Sequence, residues 1–246
     1  VQQRLPSLLD PPITFAHRGA RAYAPENTIE AFSLALKLGA SGLESDVWVT
    51  ADGIPVLDHD GEIRIGRFRK RSIGSFRRDE LPGHIPSLAE LFEHCGTGFH
   101  LSLDLKDHDA GVAVIEIVRE RAPDLLPRLW LCHHDLDALA ALRPADDTVK
   151  LVDSTRLDRI DEGPERRAAR LAELGIDGVN LRKADWNGGL VALFHRFGRT
   201  AFSWDLQHDH VLRPALRMGI DGVYSDYVDR MVEAFNDEIG NGPPVA

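Results

Sequence analysis

Two histidines, three acidic residues and two cations follow or interrupt apolar runs in the first half of the chain: His17-Arg18, Glu44-x-Asp46, His59 and Asp104-x-Lys106. Residues 43–49 alternate, but the pattern is inverted. Leu43, Ser45, Val47 and Val49 share one face of a strand, and Glu44, Asp46 and Trp48 share the other. Carboxylates two residues apart on a strand lie roughly 7 Å apart at Cβ, twice the ~3.3 Å rise, so both can reach one divalent cation. Directed inward, they must be paired, protonated or cation-bound, and an internal salt bridge to Lys or Arg is the competing reading. Residues 100–106 repeat the arrangement, with His100, Ser102, Asp104 and Lys106 on one face and three leucines on the other. Asp104 beside Lys106 is either an ion pair or a third oxygen ligand. Three carboxylates with no nearby cysteine suit a hard cation, Mg2+ or Ca2+, better than structural zinc. Lys106 then offers a point charge to an anion. His17 and His59, placed after early strands beside such a cluster, suit a general acid and a general base.

The elements that must hold these residues alternate between strand and helix signals. Strands are expected at residues 13–16, 43–50, 54–59, 101–105, 129–133, 149–152, 178–181, 200–204 and 222–225. Helices are expected from Asn27, with Asn27 to Glu30 as a capping box, from Ser87, and at 136–142, 165–174, 189–197, 211–218 and 228–235. Three segments beginning at Gly39, Gly175 and Gly219 share one helix-to-strand turn pattern. About eight strand–helix units imply parallel strands joined by crossover helices, hence a (β/α)8 TIM barrel. The 246 residues, 43% of them hydrophobic, fit one such domain spanning 1–246. No Gly-x-Gly-x-x-Gly follows the first strand, which weakens a dinucleotide-binding reading.

A net charge of −10 argues against nucleic acid as a partner and against tight binding to an anionic membrane surface. No apolar run approaches the ~18 residues of a membrane span, so no stable membrane insertion is expected. Residues 1–12 lack a basic stretch followed by an apolar one, and two cysteines make no disulfide framework. The expected compartment is the cytoplasm.

The chain resembles the glycerophosphodiester phosphodiesterase family. The resemblance rests on His17-Arg18-Gly19-Ala20, Pro25-Glu26-Asn27-Thr28 with Ala31-Phe32, Glu44-Ser45-Asp46-Val47, Thr50-Ala51-Asp52-Gly53 and His59-Asp60. Weaker matches are Ile85 to Leu88, Leu103 to Lys106, Trp204 and 219–226. It implies a TIM barrel and metal-assisted hydrolysis of glycerophosphodiesters to glycerol 3-phosphate and an alcohol. By that likeness His17 and His59 are the acid–base pair, and Glu44, Asp46 and Asp104 hold one divalent cation. Arg18 and Lys106 meet phosphate oxygens, and Trp204 lines the pocket.

Two features depart from the family pattern. Asp104 stands where the family usually has Glu, one methylene longer. Residues 64–78 carry seven Lys or Arg, read either as a solvated segment balanced by acidic neighbours or as a basic lid that recruits anionic head groups. Two other activities compete with the main reading: a lysophospholipase D-like hydrolase on the same barrel, and a non-catalytic barrel that binds a phosphorylated metabolite.

Overall fold

The computed structural model describes residues 4–67, 69–107 and 109–240, so the expected domain limits at 1 and 246 lie outside the described residues. Eight parallel strands close into a ring. In chain order these are β1 (Ile13–His17), β2 (Gly42–Val49), β6 (His100–Leu105), β7 (Leu129–His133), β8 (Lys150–Ser154), β9 (Gly178–Arg182), β10 (Thr200–Trp204) and β11 (Gly222–Ser225), with β1 paired to both β2 and β11. This is the (β/α)8 barrel that the alternation predicts.

Three short strands lie outside the ring. β3 (Pro55–Leu57) pairs antiparallel with β2, and β4 (Glu62–Ile65) with β5 (Arg69–Ser72) makes a separate hairpin. The expected strand at 54–59 is therefore not a barrel unit. Thr50 to Ile54 form a tight turn, with Gly53 N–H donating to the Thr50 carbonyl at 2.9 Å. A parallel return needs a crossover of a dozen or more residues, so β3 can only double back.

The helices are α1 (Ile29–Lys37), α2 (Leu88–Cys95), α3 (Ala110–Arg121), α4 (Leu136–Ala140), α5 (Pro164–Glu173), α6 (Gly188–Arg196), α7 (Asp209–Arg217) and α8 (Val228–Ile239). Sequence periodicity had assigned nothing to α3, although Val114, Ile115 and Val118 form its buried face. The cap of α1 also differs. Thr28, not Asn27, accepts the Ala31 N–H, while Asn27 takes a left-handed φ of 55° and accepts a hydrogen bond from Ser45 Oγ at 2.7 Å. The three repeated turns behave alike, with Gly39, Gly175 and Gly219 all at positive φ, as a helix-ending left-handed turn favours.

Two apolar layers follow from strand alternation. The outward residues Leu43, Val47, Leu101, Leu103, Leu131 and Leu151 pack against the helices. The lumen holds Ile13, Phe15, Trp130, Cys132, Val152, Phe202 and Tyr224, with Leu9 packed against them. Phe15 stacks on Tyr224 with ring centroids 4.7 Å apart, and Trp130 meets Phe202 edge-on at 4.8 Å. Gly42 makes room for this plug, since a Cβ there would lie 2.6 Å from Phe15. The plug fills the barrel beneath Glu44, Asp46 and Asp104.

On the outer face of β8, Asp153 is fully buried beside Arg167 Nε at 3.5 Å, with no hydrogen bond to either carboxylate oxygen. Burial, reinforced by Glu162 and only partly opposed by Arg167, pushes its pKa up to about 7. The folded protein thus holds a proton that the unfolded chain releases above pH ~4, and stability falls as pH rises from there to about 7. Asp153→Asn flattens this slope, as read by urea denaturation at several pH values. An unchanged slope contradicts the assignment.

Candidate active site

The C-terminal ends of the barrel strands surround a cavity of about 630 Å3. His17, Arg18, Glu44, Asp46, His59, Asp104, Lys106 and Trp204 all line it. Every residue singled out from the sequence for chemistry is therefore at one mouth.

The inverted alternation of β2 does what it implies. Glu44 and Asp46 are buried in the lumen, and β6 pairs beside β2 so that Asp46 and Asp104 are neighbours in register. One oxygen from each of Glu44, Asp46 and Asp104 lies within 4.8 Å of the others. Asp104, though a methylene shorter than Glu, still reaches the cluster. Burial raises the pKa of Glu44, with His17 opposing and Asp46 and Asp104 adding to it. Burial also raises Asp104, against Lys106. Crowded carboxylates of this kind disfavour their own ionisation, which a cation would relieve.

Lys106 Nζ lies 2.8 Å from Asp46 Oδ1 and 3.5 Å from Asp104 Oδ2. The ion pair weighed against a ligand role is thus present, and it engages one oxygen of Asp46. The other, Oδ2, is buried without a hydrogen-bond partner, with Arg18 Nε at 3.5 Å. A hard cation fits this donor set: carboxylate oxygens only, one of them unsatisfied.

Arg18 leaves β1 in a left-handed conformation, φ 54°, which costs roughly 1–2 kcal/mol for a non-glycine residue. The turn lets its backbone N–H donate to Glu44 Oε2 at 2.9 Å, while its guanidinium donates to Glu26 Oε1 at 3.1 Å. Glu26 is also paired with Arg21 at 3.1 Å.

His17 ends β1 with Nδ1 2.6 Å from Asp226 Oδ1 and Nε2 3.9 Å from Glu44 Oε2. Burial works against a charged ring, but Glu44 and the Asp226 hydrogen bond outweigh it, and the pKa is raised. Asp226 follows β11 and is itself held by Gln207. Sequence reasoning included Asp226 only as the end of a closing turn. Its available signal was its place after the last barrel strand, where functional groups gather.

His59 arrives by a different route. It sits beyond β3, exposed, with Nδ1 2.9 Å from Asp60 Oδ1. Trp48, on the same face of β2 as Glu44 and Asp46, packs against a satellite cluster of Val56, Ile73, Phe76, Leu81 and Ile85. Its Nε1–H donates to the Asp58 carbonyl at 2.9 Å, and Gly61 lies against its ring. Trp48 thus anchors the loop that carries His59.

Residues 64–78 do not cover the mouth, and none of those described lines the cavity. Lys70 pairs with Glu62 at 2.9 Å, Arg78 with Glu90 at 2.6 Å, and Arg77 with Asp52 at 3.6 Å. These pairs fit the balanced surface segment. His133 accepts the Asp135 N–H, and neither His133 nor His134 lines the cavity.

The far side of the cavity went unread in the sequence. Ser154, Thr155, Arg156 and Arg159 follow or end β8, and Asn180 projects from β9.

The profile of the Glycerophosphoryl diester phosphodiesterase family matches residues 17–230. The chain belongs to this family. Among its relatives, the glycerophosphodiester phosphodiesterase of Bacillus altitudinis is 26% identical over 238 residues, which are 89% of this chain and 96% of that one. The crystal structure of the Thermotoga maritima glycerophosphodiester phosphodiesterase superposes with a TM-score of 0.76 at 27% identity, covering 90% of this chain and 97% of that one. An Oleispira antarctica phosphodiesterase, solved in complex with the product sn-glycerol-3-phosphate, shares the fold at TM-score 0.79 and 23% identity, over 92% and 97% of the two chains. This member of the phosphodiesterase family is accordingly a phosphoric diester hydrolase, and glycerophosphodiester phosphodiesterase activity is the activity its relatives carry. Among the described residues no helix is long and apolar enough to cross a membrane.

Proposed function

We propose that this phosphodiesterase is one barrel domain that hydrolyses glycerophosphodiesters to glycerol 3-phosphate and an alcohol, with His17 and His59 as the acid–base pair. The observation that carries the reading is the fixed geometry of His17. Asp226 binds Nδ1, so Nε2 is turned toward Glu44 and the cavity. The product named for the Oleispira antarctica relative supports glycerol 3-phosphate as the retained half.

Glu44, Asp46 and Asp104 would hold one divalent cation, Mg2+ or Ca2+. When bound, it supplies positive charge beside the phosphoryl oxygens and a seat for glycerol hydroxyls. The remaining chemistry belongs to the side chains. Arg18 and Lys106 face the same space and offset the charge that builds on phosphate oxygens as the bond to phosphorus forms. One histidine takes the proton of the attacking oxygen, which belongs to water in a direct hydrolysis; where a glycerol hydroxyl attacks instead, the cyclic phosphate it forms is opened to glycerol 3-phosphate by water in a second step. The P–O bond to the alcohol breaks, and the other histidine gives its proton to the departing oxygen. Trp204 closes one wall of the cavity. The two unpaired cysteines, Cys95 and Cys132, fit a reducing compartment such as the cytoplasm.

The test is product analysis with the full chain. Glycerol 3-phosphate and free alcohol should appear in equal amounts from glycerophosphodiesters, with lysophospholipids turned over more slowly. Faster turnover of lysophospholipids favours the lysophospholipase D-like alternative. Ligand-induced stabilisation without product favours a binding barrel.

A further inference from the structure

In the ring β8 lies opposite β1, and β9 lies opposite β2, four strands away in either direction. The cavity therefore has an acidic wall on β1, β2 and β6 and a facing wall on β8 and β9. The facing wall is basic. Ser154 pairs in register with Asn180, and the Thr155 N–H donates to the Asn180 carbonyl at 3.0 Å. The chain then enters a single 3-10 turn, Leu157–Arg159, flanked by Arg156. Arg156 is the extended residue before the turn and Arg159 its last residue, and both reach the same cavity.

Both guanidinium-bearing residues are exposed and line the cavity. Among the described residues neither has a carboxylate within 4.0 Å. Asp205, the acid that lines the cavity beyond β10, is paired with Lys183 Nζ at 3.3 Å. Asp185, which accepts the Leu157 N–H and so anchors the turn, is paired with Arg182 at 2.9 Å.

A second, independent observation lies below the arginines. Asn180 is 6% exposed, lines the cavity, and its Oδ1 has no hydrogen-bond partner. A buried acceptor left open in a ligand cavity calls for a donor from the ligand. The volume of about 630 Å3 is in the range that holds drug-sized ligands, and glycerol 3-phosphate alone leaves much of it empty.

Resting on the phosphodiesterase reading above, we propose that the β8–β9 wall selects diesters whose alcohol carries an anionic group of its own, carboxylate or phosphate, beside a hydroxyl or ammonium donor. With the glycerol half on the acidic wall, the alcohol half extends toward Arg156, Arg159 and Asn180. The guanidinium pair binds the anion, and Asn180 Oδ1 accepts from the donor. Two planar forks suit either oxyanion.

Matched substrate pairs test this. Glycerophosphoserine differs from glycerophosphoethanolamine by one carboxylate. Glycerophosphoglycerol and its terminal phosphate monoester differ by one phosphate. At low salt, kcat/KM should favour the anionic member of at least one pair about tenfold, mainly through KM, and salt should erode the preference. The pair that responds tells carboxylate from phosphate. In the Arg156→Gln/Arg159→Gln double variant, whose changes are both at exposed positions, the ratio should fall to near one. A wild-type ratio of one or less in both pairs, or a ratio that survives in the double variant, overturns the inference while the phosphodiesterase reading stands. No hydrolysis of any of the four overturns that reading and the inference with it.

Discussion

Alanine at His17 lowers kcat by about 10²–10⁴-fold, the usual contribution of a positioned proton-transfer group. KM should move far less, because in the proposed mechanism the ring transfers a proton while Arg18 and Lys106 meet the phosphate. The fold should survive, since β1 is held on both sides by β2 and β11 and its buried residues Ile13 and Phe15 lie below the site. Steady-state kinetics with a thermal melt separate the two effects. Near wild-type kcat refutes the role. Asp226→Asn probes the same ring indirectly. A carboxylate at 2.6 Å from Nδ1 favours the tautomer with its hydrogen there, whereas an amide can donate to Nδ1 and reverse it. Asp226→Asn should therefore lower kcat in the same direction and shift the acid limb of the pH–rate profile. The burial that lowers the imidazole pKa stays, while the Asp226 hydrogen bond and charge that help raise it are lost, so the limb should move to lower pH. Loss of activity with an unshifted profile would mark Asp226 as merely structural.

Chelation has the second largest expected effect. With EDTA, turnover should fall to background and return on adding Mg2+ or Ca2+. The cation also stabilises the folded state, by about 2.7 kcal/mol at a concentration 100 times its Kd, so the melting temperature should rise with cation concentration. Asp46→Asn removes one carboxylate from the cluster and should abolish both the reactivation and the thermal shift at millimolar cation. The thermal shift can be read without substrate. Turnover that persists through chelation, or an Asp46→Asn protein that still gains stability from the cation, contradicts the ligand set.

The acidic wall was legible because strand alternation is strict. Glu44 and Asp46 two apart, with Ser45 between them and Leu43 and Val47 on either side, can only face the lumen together. Register did the rest by bringing Asp104 beside Asp46. Period and spacing speak to residues on one element. They are silent on pairs such as His17 and Asp226, which meet only because the ring closes. The same limit hid the facing wall, where Asn180 and the arginines after β8 carry no local pattern. Ile54 to His59 misled because an apolar run reads the same in a barrel strand and a short return strand. The turn at Thr50 to Gly53 was the clue that the return is antiparallel. Trp48 was placed on the correct face of β2, but the edge strand β3 and the segment after it built a second small core around it.

The contact between His17 and Asp226 joins residues 209 positions apart. It has a consequence for how the protein comes into being. During synthesis the acidic wall of β1, β2 and β6 is complete early, with Glu44, Asp46 and Asp104 already translated. The Asp226 carboxylate is added 122 residues after Asp104. At roughly 5–20 residues per second, the nascent chain spends many seconds with the three carboxylates made and His17 without its Asp226 partner. Closing β11 onto β1 is a contact of high sequence separation, the kind formed late and slowly. Catalytic competence should thus appear in one late step, when the last strand closes the ring, and not grow with chain length.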